Sequence, residues 1–478
     1  MQPLTADDAA HLLRRMGFGG APEEVDDLVA RGREGAVDYL INYEQINNSA
    51  MEDLLKTSFD FSDVREGDKF NQGEIRRWWF TRMVHSRRQF EEKMALFWHN
   101  HFATALSGVS DILMFNQHLT LRKYLLSRFD DLLLHVAQDP AMLVWLDGIT
   151  NVLGAPNENW ARELQELFTM GPNDVVTGEP NYTEDDVKEI ARAFTGWKFR
   201  LNRRDFTLEF FVNPSQHDNG AKTVYGQTAN FSGEDIITII CDRRATARYL
   251  VRELFNFFVY ELTDSQADKK TIEKFADVYV SSNHSIRELA RAIFTSKEFF
   301  SDRARFALIK QPAELVVGTI RMLGGEYEPG VPGRGQQLNS NILAAFSRLM
   351  GQDIFNPPDV NGWDLGLAWV STATMLERFN FGNAFVSNRN INNRPGIFIT
   401  NEQLAKYTKP KAKKTVKEFL RVMGRLNVDK TTRANLQTYL ETDDAGNPTT
   451  WAVTDATIDE KVRGLVHQII CLPEYQLN

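Results

Sequence analysis

The chain has 478 residues, 42% of them hydrophobic, with 55 basic against 64 acidic side chains and a net charge of −9. That is enough apolar material for a large core, and the acidic balance excludes a general nucleic-acid binder, which needs basic surface to neutralise phosphates. Two cysteines, Cys241 and Cys471, exclude a disulfide framework and leave room for one bridge at most, while charges interrupt every apolar run before it reaches membrane-spanning length.

The opening stretch, MQPLTADDAAHLLRRMGFGG, lacks the basic start and continuous apolar segment of a signal peptide. As given, the chain reads as soluble and cytoplasmic, and as exported to the periplasm if a leader has been removed. Thr5 precedes a periodic run to Met16 with Asp8 at the third helical position, a capping box, and Pro22 suits the first turn of a helix that Gly32 ends. Thr183 with Asp186 opens a helix in the same manner. Long helical patterns also run through 75–105, 111–137, 158–170, 244–261, 267–280, 285–299, 309–323, 340–351, 414–424 and 458–471.

One segment departs from this rule. FTLEFFV (206–212) is rich in β-formers, and HDNG (217–220) supplies turn chemistry before KTVYG, which predicts a β-hairpin near 205–226. Residues 324–336 and 441–451 read as loops, and the glycines of GVPGRG follow a helical pattern, which argues against a phosphate-cradling loop. SIRELARAIFTSKEFF (285–300) aligns with KVRGLVHQIICLPEYQ (461–476), one helical face matching in each copy. The lysines from Lys406 to Lys417 read as a solvated helix entry. The fold class expected is mainly α: one large multi-helix domain over 1–390 with the small β-hairpin insertion, and a helical C-terminal portion, 391–478, packed on it.

Four stretches carry candidate chemistry. In FWHNHF (97–102), Phe90, Met94, Phe97 and His101 share one helical face, and His99 lies nearly opposite, close to Glu92. The two imidazoles therefore do not converge on one metal; His101 points into the apolar side and His99 away from it. In NENWARELQELF (157–168), Trp160, Leu164, Leu167 and Phe168 are apolar, and Glu158, Arg162, Glu163 and Glu166 form the opposite stripe. That stripe is either a set of surface ion pairs or a carboxylate wall able to hold a metal or shuttle protons. HDNGAKTVYG places His217, Asp218 and Lys222 around one turn, and FNPPDVNGWDLGLAWVSTATMLERF (355–379) offers Trp363 and Trp369 for packing under a loop or for stacking a ligand.

These blocks, with DPAMLVWLDG (139–148) and YTEDDVKEIARAFTGW (182–197), closely resemble a bacterial family of unknown function, number 1800 in the domain-of-unknown-function series. The ends HLLRRMGFG and PEYQLN resemble its usual ends, so the likeness covers nearly the whole chain; Gln165 stands where the family has an apolar residue. The resemblance implies export for many members and genes beside proteins resembling alkaline phosphatases and sulfatases. The expectation is an enzyme of hydrolytic or other acid–base chemistry, assisted by a divalent metal where one is bound. In it His101 or His217 is base or metal ligand, Glu158 and Glu163 are acids or ligands, Arg162 orients them, Asp218 accompanies His217, and Lys222 stabilises an anion. The alternative is a non-catalytic partner or scaffold for the phosphatase- or sulfatase-like protein.

Overall fold

The computed structural model describes residues 3–59, 72–202, 207–329, 341–387 and 396–478. Helices dominate it, and the described strands form three two-stranded antiparallel sheets, so the fold is mainly α with small hairpins. Local signals set several helix starts. Asp8 N–H donates to Thr5 Oγ1 at 3.1 Å while Thr5 N–H donates to the Asp8 carboxylate at 3.3 Å, and Thr183 and Asp186 repeat the exchange. Gly32 interrupts the Pro22–Ile41 helix with φ 69°, a conformation that suits glycine.

Two long helical patterns are each broken where backbone amides take partners outside the helical ladder. The 75–105 pattern becomes Gln72–His85 and Gln89–His101, because Arg87 N–H donates to Asn48 Oδ1 at 2.9 Å and Arg88 N–H to Ser86 Oγ at 3.0 Å. These amides have left the helical ladder. The 111–137 pattern becomes Asp111–Tyr124 and Phe129–Ala137, separated where Phe129 N–H donates to His284 O and Ile286 N–H to Ser127 O.

The hairpin expectation needs correction in its pairing. Strand Thr207–Val212 pairs with Trp197–Asn202, which precedes it, and Lys222–Val224 pairs with Gln227–Ala229. HDNG therefore joins two hairpins and is not the turn of one. The glycine-rich GVPGRG lies outside the described residues. Both copies of the faint repeat are helical on the aligned face: Ile286, Leu289 and Ile293 are buried, as are Val462, Leu465 and Ile469.

Gln89–His101 runs through the middle of the core, with every residue from Gln89 to His99 buried. Around it, one apolar cluster extends from Leu4 to Tyr475. The C-terminal end closes on earlier segments: Asn478 N–H donates to Leu308 O at 2.7 Å, and Arg378 reaches Gln476 Oε1 at 3.0 Å and Lys310 O at 2.8 Å. Cys241 and Cys471 are free thiols. No helix among the described residues is long and apolar enough to cross a membrane.

Candidate functional site

The two histidines of FWHNHF have opposite hydrogen-bonding roles. Phe355 N–H donates to His99 Nε2 at 3.0 Å, so that nitrogen carries the lone pair. His101 Nε2 lies 3.0 Å from Phe168 O; a carbonyl only accepts, so this nitrogen carries the proton and Nδ1 of the neutral ring is an acceptor without a protein partner. Burial pulls His99 down to about 3 and His101 to about 4, the Phe168 carbonyl opposing the second shift, so both rings are neutral near pH 7. The helical directions explain the different partners, but His99 does not point away from the core. It is 1% exposed, enclosed by Trp79, Phe355 and Trp363. The reason is that apolar elements cover both sides of this helix.

His101 lines an open recess of about 60 Å³, and three of the four sequence blocks meet there. FWHNHF contributes Phe97, Asn100 and His101; the 157–168 block contributes Leu167; FNPPDVNGWDLG contributes Val360, Asn361 and Leu365. Asn100 clamps the last of these, accepting the Trp363 N–H at 2.7 Å and donating to Trp363 O at 3.3 Å. Gly362, at φ 79°, lets the loop come this close: a Cβ there would meet Asn100 O and Oδ1 at 2.5 Å.

The Arg244–Phe258 helix closes the recess with Tyr249, Glu253 and Phe257. Sequence reading missed these residues, although their i, i+4, i+8 spacing sets a carboxylate between two aromatic rings on one helical face. Burial raises the Glu253 carboxyl above its ordinary range, opposed by Arg252, whose Nε lies 3.4 Å from Glu253 Oε1. The Tyr249 hydroxyl donates to Leu167 O at 2.9 Å, and burial, with Glu253 and Glu166 nearby, raises its phenol too.

The carboxylate stripe divides. Arg162 bonds Glu184 at 2.8 and 2.9 Å and Glu158 at 3.4 Å on an open face, an ion-pair cluster worth little in water. Glu163 is raised by burial and by Glu166, and Glu166 accepts the Tyr182 hydroxyl at 3.1 Å. None of Glu158, Arg162 or Glu163 lines the His101 recess.

The HDNGAK residues dock elsewhere, on the end of the Glu184–Ala193 helix. Asp218 pairs with Arg192 at 2.8 Å, and its N–H donates to Thr195 Oγ1 at 2.7 Å. His217 Nδ1 donates to Thr195 O at 2.8 Å. Lys222 is fully buried and donates to Asp218 O at 2.7 Å, Gly220 O at 3.0 Å and Asn230 Oδ1 at 3.1 Å. Its three donors are spent on holding the turn. Lys222→Met, which strands these acceptors, is expected to lower unfolding free energy by about 1–3 kcal/mol in urea titrations. A stability equal to wild type would show that the clamp carries no weight.

Among the described residues, no group of three or more His, Cys, Asp and Glu side chains is arranged to hold a metal ion. The assignment of His101, Glu163 and His217 as joint ligands therefore gains no support from the geometry. His101 and His217 each commit a ring nitrogen to a different backbone carbonyl.

A family model described as "Protein of unknown function (DUF1800)" matches residues 11–477. No curated protein and no solved structure matches the chain.

Proposed function

For a chain that belongs to the DUF1800 family over nearly its whole length, we propose an acid–base enzyme whose site is the recess beneath the Gln89–His101 helix. The observation that supports it is the pairing in one solvent-reached recess of a partnerless His101 Nδ1 with a Glu253 carboxyl raised by burial. Burial lowers the His101 imidazole and raises the Glu253 carboxyl, which suits a neutral imidazole acceptor beside a carboxyl able to hold a proton. Glu253 delivers a proton to the leaving group as its bond to the acyl carbon breaks, His101 Nδ1 takes a proton from the attacking water as the new carbon–oxygen bond forms, that proton returns to Glu253 through solvent, and Asn100 fixes the loop wall. Hydrolysis of an ester or amide is the simplest reaction for this set. His217, Asp218 and Lys222 act on it only through the stability of the neighbouring hairpins.

The test is turnover of a panel of nitrophenyl esters and nitroanilides by the purified protein and by Glu253→Gln. Loss of a general acid is expected to lower kcat by about 10²–10⁴-fold with the circular dichroism spectrum unchanged. A second reading, a non-catalytic scaffold for a phosphatase- or sulfatase-like protein, is favoured by large apolar side chains left exposed, one of them Leu367, two residues from Leu365 of the recess wall. Leu367 is 80% exposed, Leu376 58% and Leu349 53%. The same panel decides: no turnover above the Glu253→Gln level removes the enzyme reading and leaves the scaffold.

A further inference from the structure

The polar groups of the recess are unevenly matched. Each side-chain donor group lining it already makes one bond inside the protein, the amides of Asn100 and Asn361 keeping a second N–H. His101 Nε2–H goes to Phe168 O, the Tyr249 hydroxyl to Leu167 O, Asn100 Nδ2 to Trp363 O, and Asn361 Nδ2 to Asp359 Oδ1 at 3.1 Å. The acceptors remain open: His101 Nδ1 and Asn361 Oδ1 have no protein donor, and Glu253 receives only the long contact from Arg252. A ligand that brings donors satisfies these open acceptors.

The walls also favour positive charge. Phe97 and Phe257 have ring centroids 5.2 Å apart, the His101 ring lies 5.8 Å from Phe97, and Tyr249 lies 6.4 Å from His101. Aromatic faces beside a carboxylate attract a cation. The protein itself shows the preference, since the Arg252 guanidinium on the rim sits 5.0 Å from the Tyr249 ring centroid. No lysine or arginine is among the lining residues, and the rim guanidinium of Arg252 is already paired with Glu253, so an anionic phosphate or sulfate group would meet the Glu253 carboxylate without an unpaired counter-charge. The recess is small, about 60 Å³, which suits a compact terminal group and not a large ring system.

We propose that this recess binds a primary ammonium group on an alkyl stem. Its three N–H bonds are shared among the Glu253 carboxylate, His101 Nδ1 and Asn361 Oδ1, and its charge faces the Phe97, Tyr249 and Phe257 rings. The inference rests on the same recess as the acid–base reading but requires only binding. The ligand class of the recess is then an amine-bearing compound whose ammonium competes with the proton on Glu253, and phosphate and sulfate esters that bind through their anionic group are excluded. Binding sets the Glu253 carboxyl in its charged form, so a proton leaves the protein wherever that group was protonated beforehand.

Calorimetric titration with n-butylammonium chloride, in two buffers of different ionisation heat, tests this. Saturable binding is expected, with proton release on the acid side, and with no binding of butyrate or inorganic phosphate. Glu253→Gln, which removes the charge, should weaken it about tenfold or more, as loss of a charged hydrogen bond implies. Asn361→Leu, at an exposed position where folding is not at issue, should weaken it as well. Absence of saturable binding, unchanged affinity in both variants, or preference for phosphate would overturn the proposal. Ammonium binding without turnover of any ester or amide would uphold it and remove the acid–base reading; turnover without ammonium binding would do the reverse.

Discussion

Glu92→Ala is expected to destabilise the protein by about 3–5 kcal/mol, because it removes one anion from a buried four-charge network. Glu92 is fully buried. Its Oε1 accepts from Arg82 Nε at 3.0 Å and Arg122 Nη2 at 2.8 Å, and its Oε2 accepts from Arg122 Nη1 at 2.8 Å. Glu91 accepts from the same two arginines at 3.4 and 2.6 Å, so the charges cancel among Arg82, Glu91, Glu92 and Arg122. Burial alone would push the Glu92 carboxyl up; the guanidinium groups of Arg122 and then Arg82 hold it below the ordinary carboxylate value. Without Glu92, two guanidinium groups face one carboxylate in a low-dielectric interior, and solvent cannot replace the lost partner.

Urea unfolding of Glu92→Ala, Arg122→Ala and the double variant gives the measurement. Since the first truncation already strands the partner, the double variant should cost clearly less than the sum of the two singles. Additive effects, or a Glu92→Ala cost below about 1 kcal/mol, would mean that water reaches the network and that the pairs behave as surface ion pairs. The consequence extends to the recess, because Glu92 and His101 stand on one helix. A loosened Gln89–His101 helix would move Asn100 and His101 with it.

This network also shows where sequence reading stops. The pattern of FWHNHF correctly separates His99 from His101 by helical direction, and the capping boxes at Thr5 and Thr183 are local enough to be read directly. The polar stripe of Glu91, Glu92, Lys93 and His99 looks like a solvated helix face because its partners lie far along the chain. Arg122 is 30 residues from Glu92, Glu314 is 221 from Lys93, and the Phe355 amide is 256 from His99. The same limit hides the recess. Leu167 and Asn361 belong to polar blocks visible in the sequence, but only tertiary packing shows that Tyr249, Glu253 and Phe257 close the cavity between them. HDNGAK fails in the opposite direction. Its His, Asp and Lys resemble a reactive cluster at a turn, yet their atoms are used on Thr195, Arg192 and nearby carbonyls.

Replacing His99 by Gln is expected to flatten the loss of stability in acid. Burial holds the folded imidazole at about 3, against 6.5 for the ordinary group. As pH falls below 6.5 the unfolded chain gains a proton that the folded chain does not. Folded stability therefore drops by up to about 1.4 kcal/mol per pH unit for this residue, until the folded ring also protonates near the bottom of the window. His101 adds a loss of the same sign that ends at about 4, whereas Asp139, raised by burial to about 7, acts in the opposite direction. Both cancel when wild type is compared with a His99 variant. Gln can still accept the Phe355 N–H, so His99→Gln should be less stable than wild type at neutral pH through lost ring packing. The gap should then narrow by about 2 kcal/mol between pH about 6.5 and about 5. Parallel pH profiles in urea unfolding would place His99 in solvent contact in the folded protein. Protonating His99 removes the lone pair that accepts the Phe355 amide, and Phe355 leads directly into the Pro357–Trp363 loop held by Asn100. Acid that reaches this ring should therefore release the loop wall of the recess before the rest of the core unfolds, visible as early loss of amide-exchange protection at Phe355 and Trp363.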